Sequence, residues 1–173
     1  MKKLVVALAA VPLMGCLQGQ ESFDVSETQA VDFPGLPAAA QVAQASATTE
    51  SHMQIDLRSQ LAALGGQPSS AVFSQNALSG TALAVIAHVR ATISTADGSM
   101  PDVVWSDAEV PVDSTEIELP QALSGDQFLE YLEEGPVNVD FVLTGSIPTQ
   151  EMTLTHTLHG HMTVPVDESL SKL

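Results

Sequence analysis

Met152-Thr153-Leu154-Thr155-His156-Thr157-Leu158-His159-Gly160-His161-Met162-Thr163-Val164 is the stretch whose reading decides the fold. Even positions are mostly apolar and odd ones are Thr or His. That period of two places one set of side chains on each face of an extended strand. Pro165 ends the run. The preceding segment repeats the pattern: Val137, Val139, Phe141 and Leu143 share one face, Asn138, Asp140, Val142 and Thr144 the other, and Gly145 stops it. An antiparallel pairing of these two strands is expected, with Val139, Phe141, Leu154 and Leu158 lining one core.

Further out, the same alternation recurs in short pieces. Thr115-Glu116-Ile117-Glu118-Leu119 and Val103-Val104-Trp105 read as strands, as do Val89, Ala91 and Ile93 with their polar neighbours. Asp97-Gly98 between β-rich runs signals a hairpin or tight turn. Ala71-Val72-Phe73-Ser74 is extended, and Met53, Ile55 and Leu57 alternate with Gln54, Asp56 and Arg58. Ser22 to Ser26 is a strand that Val31 and Phe33 continue beyond a bend. Ser59 to Leu64 suits a helical turn, and residues 38–51, low in complexity, suit a linker, an Ala-rich helical turn or a strand, with a flexible connection preferred. One helix is legible: Ser124-Gly125-Asp126-Gln127 forms a capping box, Phe128, Leu129 and Leu132 an apolar stripe, and Gly135-Pro136 a stop. Strands every 8–15 residues with one short inserted helix predict a mainly β chain, an antiparallel β-sandwich over residues 21–166, with 167–173 as a tail.

The chain opens with Lys2-Lys3, an apolar run from Leu4 to Met14, then Gly15-Cys16. The run is about half of the ~20 residues a helix needs to cross a bilayer, so residues 1–15 read as a signal peptide. Leu13-Met14-Gly15-Cys16 resembles the lipobox of bacterial lipoproteins. The resemblance implies that Cys16 becomes the first mature residue and carries fatty acyl chains such as palmitate, with 16–20 as a lipidated tether. It further implies a location in the cell envelope. Leu17 stands where an Asp would resemble an inner-membrane retention signal, so the outer membrane is favoured. Ile86 to Val164, with its hairpin, its Asp126-Gln127-Phe128-Leu129-Glu130 helix and two closing strands, resembles β-sandwich lipoproteins of environmental bacteria, which implies a fold more than an activity.

Charge narrows the partners. The 173 residues carry 21 acidic and 5 basic side chains, a formal charge of −16. Loss of Lys2 and Lys3 with the signal takes it to −18. Such a field repels nucleic acid and anionic lipid and attracts cations and basic protein surfaces. Cys16 is the only cysteine, which excludes an internal disulfide and a thiolate metal cluster. No nucleophile elbow, zinc-protease helix, phosphate-binding Gly loop or dinucleotide fingerprint is present. Ser169 to Lys172 spells Ser-x-x-Lys without its companion motifs. A non-catalytic binding or structural module is therefore expected, with no resident cofactor.

The alternative is a divalent-metal protein. His159 and His161, two apart on a strand, can present two imidazoles to one ion. His156 points the other way unless Gly160 marks a bulge, and Asp140 offers a further ligand from the preceding strand. The plainer expectation puts His159 and His161 on a solvated threonine face and makes His156 a hydrogen-bonded, partly buried side chain. Asp97, Asp102, Asp107 and Glu109 around the Asp-Gly turn are oxygen donors suited to calcium.

Overall fold

A computed structural model describes residues 20–37, 46–57 and 68–165. Eight strands form two sheets: β1 (Gln20–Phe33), β2 (Ala47–Ile55), β3 (Ser70–Ser79), β4 (Ile86–Thr95), β5 (Val103–Glu109), β6 (Glu116–Glu118), β7 (Val137–Gly145) and β8 (Met152–Pro165). Helix α1 (Gly125–Glu134) precedes β7, and a single 3-10 turn, Thr81–Val85, precedes β4. The sheet orders are β1-β8-β3-β6 and β2-β7-β4-β5, with every pairing antiparallel. This is an antiparallel β-sandwich with one inserted helix, as the alternation predicts.

The expected β7–β8 pair does not form. β8 is flanked by β1 and β3, and β7 by β2 and β4, so each is a central strand of a different sheet. The link between them crosses from one sheet to the other. Ser146 N donates to Val85 O (2.8 Å), Ile147 is buried, and Leu36 N donates to Pro148 O (2.9 Å). Period two records which face a side chain takes, not which strand lies beside it. The core expectation holds nonetheless, because the inner faces of the two sheets meet: Val139, Phe141, Leu154 and Leu158 are all buried.

Two boundaries also move. β1 runs without a bend, in unbroken register with β8 from Gln20 opposite Pro165 to Phe33 opposite Met152. Residues 47–51, expected in a flexible connection, belong to β2, with Ala47 opposite Gly145 and Ser51 opposite Phe141. Ala-Thr-Thr-Glu-Ser has no apolar alternation of its own. It is extended because β7 supplies backbone partners along its length. Its open side faces β1, where Thr49 Oγ1 donates to Pro34 O (2.7 Å) and Ser51 Oγ to Asp32 O (2.5 Å). The helical turn expected over Ser59–Leu64 lies outside the described residues.

The hairpin and helix form as read. Asp97-Gly98 turns β4 into β5 with Gly98 at φ 72°, where a side chain would be strained. Ser124 Oγ accepts from Gln127 N (3.2 Å) while Gln127 Oε1 accepts from Ser124 N (2.9 Å), the reciprocal capping box. α1 packs on β3 through Phe128 and through its start: Ala71 N donates to Asp126 Oδ1 (2.9 Å). A Cβ on Gly125 would lie 1.9 Å from Ala71 O, so only glycine allows that approach.

With few aromatic side chains available, most of them form one continuous line through the core. Phe33 meets Phe141 (6.3 Å between centroids), Phe141 meets His156 (5.7 Å) and His156 meets Trp105 (5.9 Å). Trp105 then stacks on Phe128 (5.1 Å, 16°), which meets Phe73 edge-on (5.1 Å). The line joins both sheets to α1.

Candidate functional site

β8 carries the three histidines of the candidate metal cluster, and its straight register separates them. His156 points inward and is fully buried, whereas His159 and His161 point outward. The irregularity lies across the ladder on β3, between Phe73 and Gln75, not at Gly160. Gly160 gives Phe73 room: a Cβ there would lie 2.7 Å from Cδ1 of that ring. His161 Nδ1 is 2.9 Å from Oδ1 of Asp24, directly opposite on β1. His159 lies between Ser26 and Gln75 in the ladder. Asp140 sits on the other sheet, where its Oδ1 is 2.9 Å from His52 Nδ1. The set His156, His159, His161 and Asp140 therefore does not assemble.

The calcium candidates are spread out as well. Asp97 accepts from the backbone N of Ser99 (3.0 Å), and those hydrogen bonds hold its carboxyl below the usual carboxylate range. Asp102 precedes β5, Asp107 contacts His88 Nε2, and Glu109 closes the strand. Seven residues of extended chain put Asp102 and Glu109 on the order of 23 Å apart. Among the described residues, no three His, Asp or Glu side chains stand close enough to share a metal.

What the structure shows instead is a repeated pairing. His52–Asp140, His88–Asp107 and His161–Asp24 are each a cross-strand histidine–carboxylate contact on an outward face. Both members of every pair are well exposed, so each contact is worth at most about 1 kcal/mol. The pairs of His52, His88 and Asp24 are not legible in the sequence because their partners depend on register, which the alternation does not contain.

Two buried polar groups stand out: His156, expected to be hydrogen-bonded and partly buried, is fully buried, and Glu27 is a buried carboxylate that the alternation does not mark. His156 Nε2 lies 2.8 Å from Asn76 Oδ1, while Asn76 Nδ2 donates to Leu119 O (3.3 Å). This orientation assigns the proton to Nε2 and leaves Nδ1 a lone pair with no partner. Trp105 Nε1 and Ser106 Oγ are likewise buried without partners. Burial pushes the His156 imidazole down to about 4, so the ring is neutral at neutral pH. Glu27 turns inward from β1, accepts from Gln29 Nε2 and leaves Oε2 unpaired. Burial, with a smaller push from Asp56, raises its carboxyl above the ordinary value.

No protein-family model matches the chain, and no curated protein matches it. Solved structures do. A study of carbohydrate-binding modules from the β-sandwich superfamily supplies one neighbour: 16% identity, 89% of this chain and 51% of that one, TM-score 0.30. A mud crab tombus-like virus supplies another at 12%, covering 90% and 94%, TM-score 0.32. A third is the C-terminal family 22 carbohydrate-binding module of Clostridium thermocellum Xyn10B at 10%, covering 94% and 82%, TM-score 0.25. The chain spans about half the length of the first. Likeness this distant carries no argument about ligand. The fold itself defines the class: an antiparallel β-sandwich, eight-stranded among the described residues. Cys16 lies outside the described residues, and no described helix is long and apolar enough to cross a membrane.

Proposed function

We propose that the chain is a cell-envelope lipoprotein whose β-sandwich is a non-catalytic binding or structural module held at the membrane through acylated Cys16. The observation that carries the reading is Leu13-Met14-Gly15-Cys16 at the end of a basic-then-apolar leader. The start of β1 at Gln20 supports it, since a folded domain beginning directly after the cysteine is what a short lipidated tether would join. Three outward histidines, His52, His88 and His161, pair with carboxylates across strands rather than converging on one point, which favours a presented surface over a reaction centre. A formal charge of −18 on such a surface suits a basic protein partner.

Two or three acyl chains give lasting attachment at about 0.8 kcal/mol per buried CH₂, where one chain is marginal. Expression of Cys16→Ser beside the natural chain, with labelled palmitate and mass analysis of the N-terminal peptide, tests the anchor. The natural chain should be cleaved before Cys16 and labelled, and the variant should be neither. A processed, labelled Cys16→Ser protein would overturn the reading. Capture of partners from detergent-solubilised envelope then tests the binding role.

A further inference from the structure

We infer that the end of the sandwich formed by the start of β1, helix α1 and the β4–β5 turn faces the lipid headgroup layer, and that the opposite end, carrying Val112 and the 146–151 link, points away. The inference rests on acylation of Cys16 and adds the orientation of the domain to it.

The start of β1 locates the anchor on the fold. From Cys16 to Gln20 is four Cα steps, at most about 14 Å of chain. β1 is 14 residues long and therefore about 45 Å from end to end. A tether of that reach, joined at one end of such a strand, cannot bring the other end to the membrane surface without laying the whole domain down.

Register shows what shares that end. Gln20 pairs with Pro165, and Phe23 pairs with Met162, which on its other side pairs with Ala71. Ala71 N is bonded to Asp126 at the start of α1. The helix then leads through Gly135-Pro136 to Val137, which pairs with Ile55 and with Thr95, just before the Asp97-Gly98 turn. Tyr131 OH fastens α1 to that turn region through Pro101 O (2.8 Å). The opposite end is equally well defined. Phe33 pairs with Met152, Ala47 and Ile86 both pair with Gly145, and Val110 N donates to Ala87 O, leading into Val112 at 90% exposure.

Chemistry sets the depth of contact. Asp97, Asp102, Asp126, Glu130, Glu133 and Glu134 are exposed at the α1 end. Carboxylates so placed exclude entry into hydrocarbon, so this end meets headgroups and their counter-cations rather than acyl chains.

The test uses the full acylated chain in phosphatidylethanolamine–phosphatidylglycerol vesicles doped with headgroup-nitroxide lipid. Asp102→Cys and Val112→Cys each take one thiol-reactive fluorophore, Cys16 being occupied by its lipid. Both sites are exposed, and an unchanged thermal midpoint confirms the fold of each variant. The probe at 102 should be quenched several-fold more than the probe at 112. Equal quenching, or stronger quenching at 112, overturns the orientation while leaving the anchor intact. Absence of an acyl group in the N-terminal peptide mass overturns both.

Discussion

His156 sits at the middle of the aromatic line through the core. Asn76 holds one nitrogen, the rings of Trp105 and Phe141 flank it, and the neutral form is the one the core accepts. Its folded value of about 4 lies below the ordinary 6.5. Between those values the unfolded chain binds the proton and the folded chain does not. The stability it supports is therefore intact above pH ~6.5, falls as the pH drops, and has gone by about pH 4. A depression of that size is on the order of 3 kcal/mol. Glu27 has the opposite sign: its raised carboxyl contributes below about pH 4.5 and loses that contribution as the pH rises. Denaturant melts at pH 7 and pH 4, on the natural chain and His156→Leu, separate the two. The variant should be less stable at pH 7, since Asn76 loses its partner, yet lose much less on acidification.

Phe141 and Thr155 give a second contrast at this scale. Phe141 is fully buried, and Phe141→Ala should cost about 3–5 kcal/mol through lost burial and a cavity that collapses only in part. Thr155 faces outward on β8, and Thr155→Ala should cost under ~1 kcal/mol. Denaturant melts that show equal losses would mean the outer face of β8 is covered.

At the scale of the element, helix α1 separates two kinds of local information. Ser124→Ala removes one half of the capping box and should cost about 1 kcal/mol. Gly125→Ala should cost more, although alanine is the better helix former, because its Cβ collides with the Ala71 carbonyl. Thermal melts followed by circular dichroism rank the two. The capping box was legible because it is written within four consecutive residues. The need for glycine next to it was not, because Ala71 lies 54 positions away in sequence. The strands divide the same way. β7 and β8 read most clearly because each is flanked on both edges, packs inward on one face and meets water on the other. The first residues of β2 are extended through β7 rather than through a pattern of their own, and they look like a linker. The metal set failed for the related reason that Asp140 was placed beside β8 by sequence order, whereas its neighbour is His52.

For the whole molecule, the two sheets are closed on one side by β1 against β2 and braced by α1, whose Phe128 lies between Phe73 and Trp105. Arg90 is the only Lys or Arg among the described residues, so the domain holds together against its own charge. Moderate salt should raise the thermal midpoint by screening that repulsion, a shift that differential scanning calorimetry reads directly. A falling midpoint with salt would mean that attractive surface pairs outweigh the net field.

The pairing of β1 with β8 joins the first described strand to the last, Gln20 opposite Pro165. A chain that emerges N-terminus first must therefore hold β1 without its ladder partner until almost everything else has followed. Closing a loop of that length has an entropic cost that only the finished ladder offsets, so this pairing should slow folding. A version ending at Glu151 should stay largely unfolded by circular dichroism and bind hydrophobic dyes, even though it keeps the sequence of seven of the eight described strands. Under the proposed export, the sandwich could not shut while part of the chain remained on the far side of the membrane.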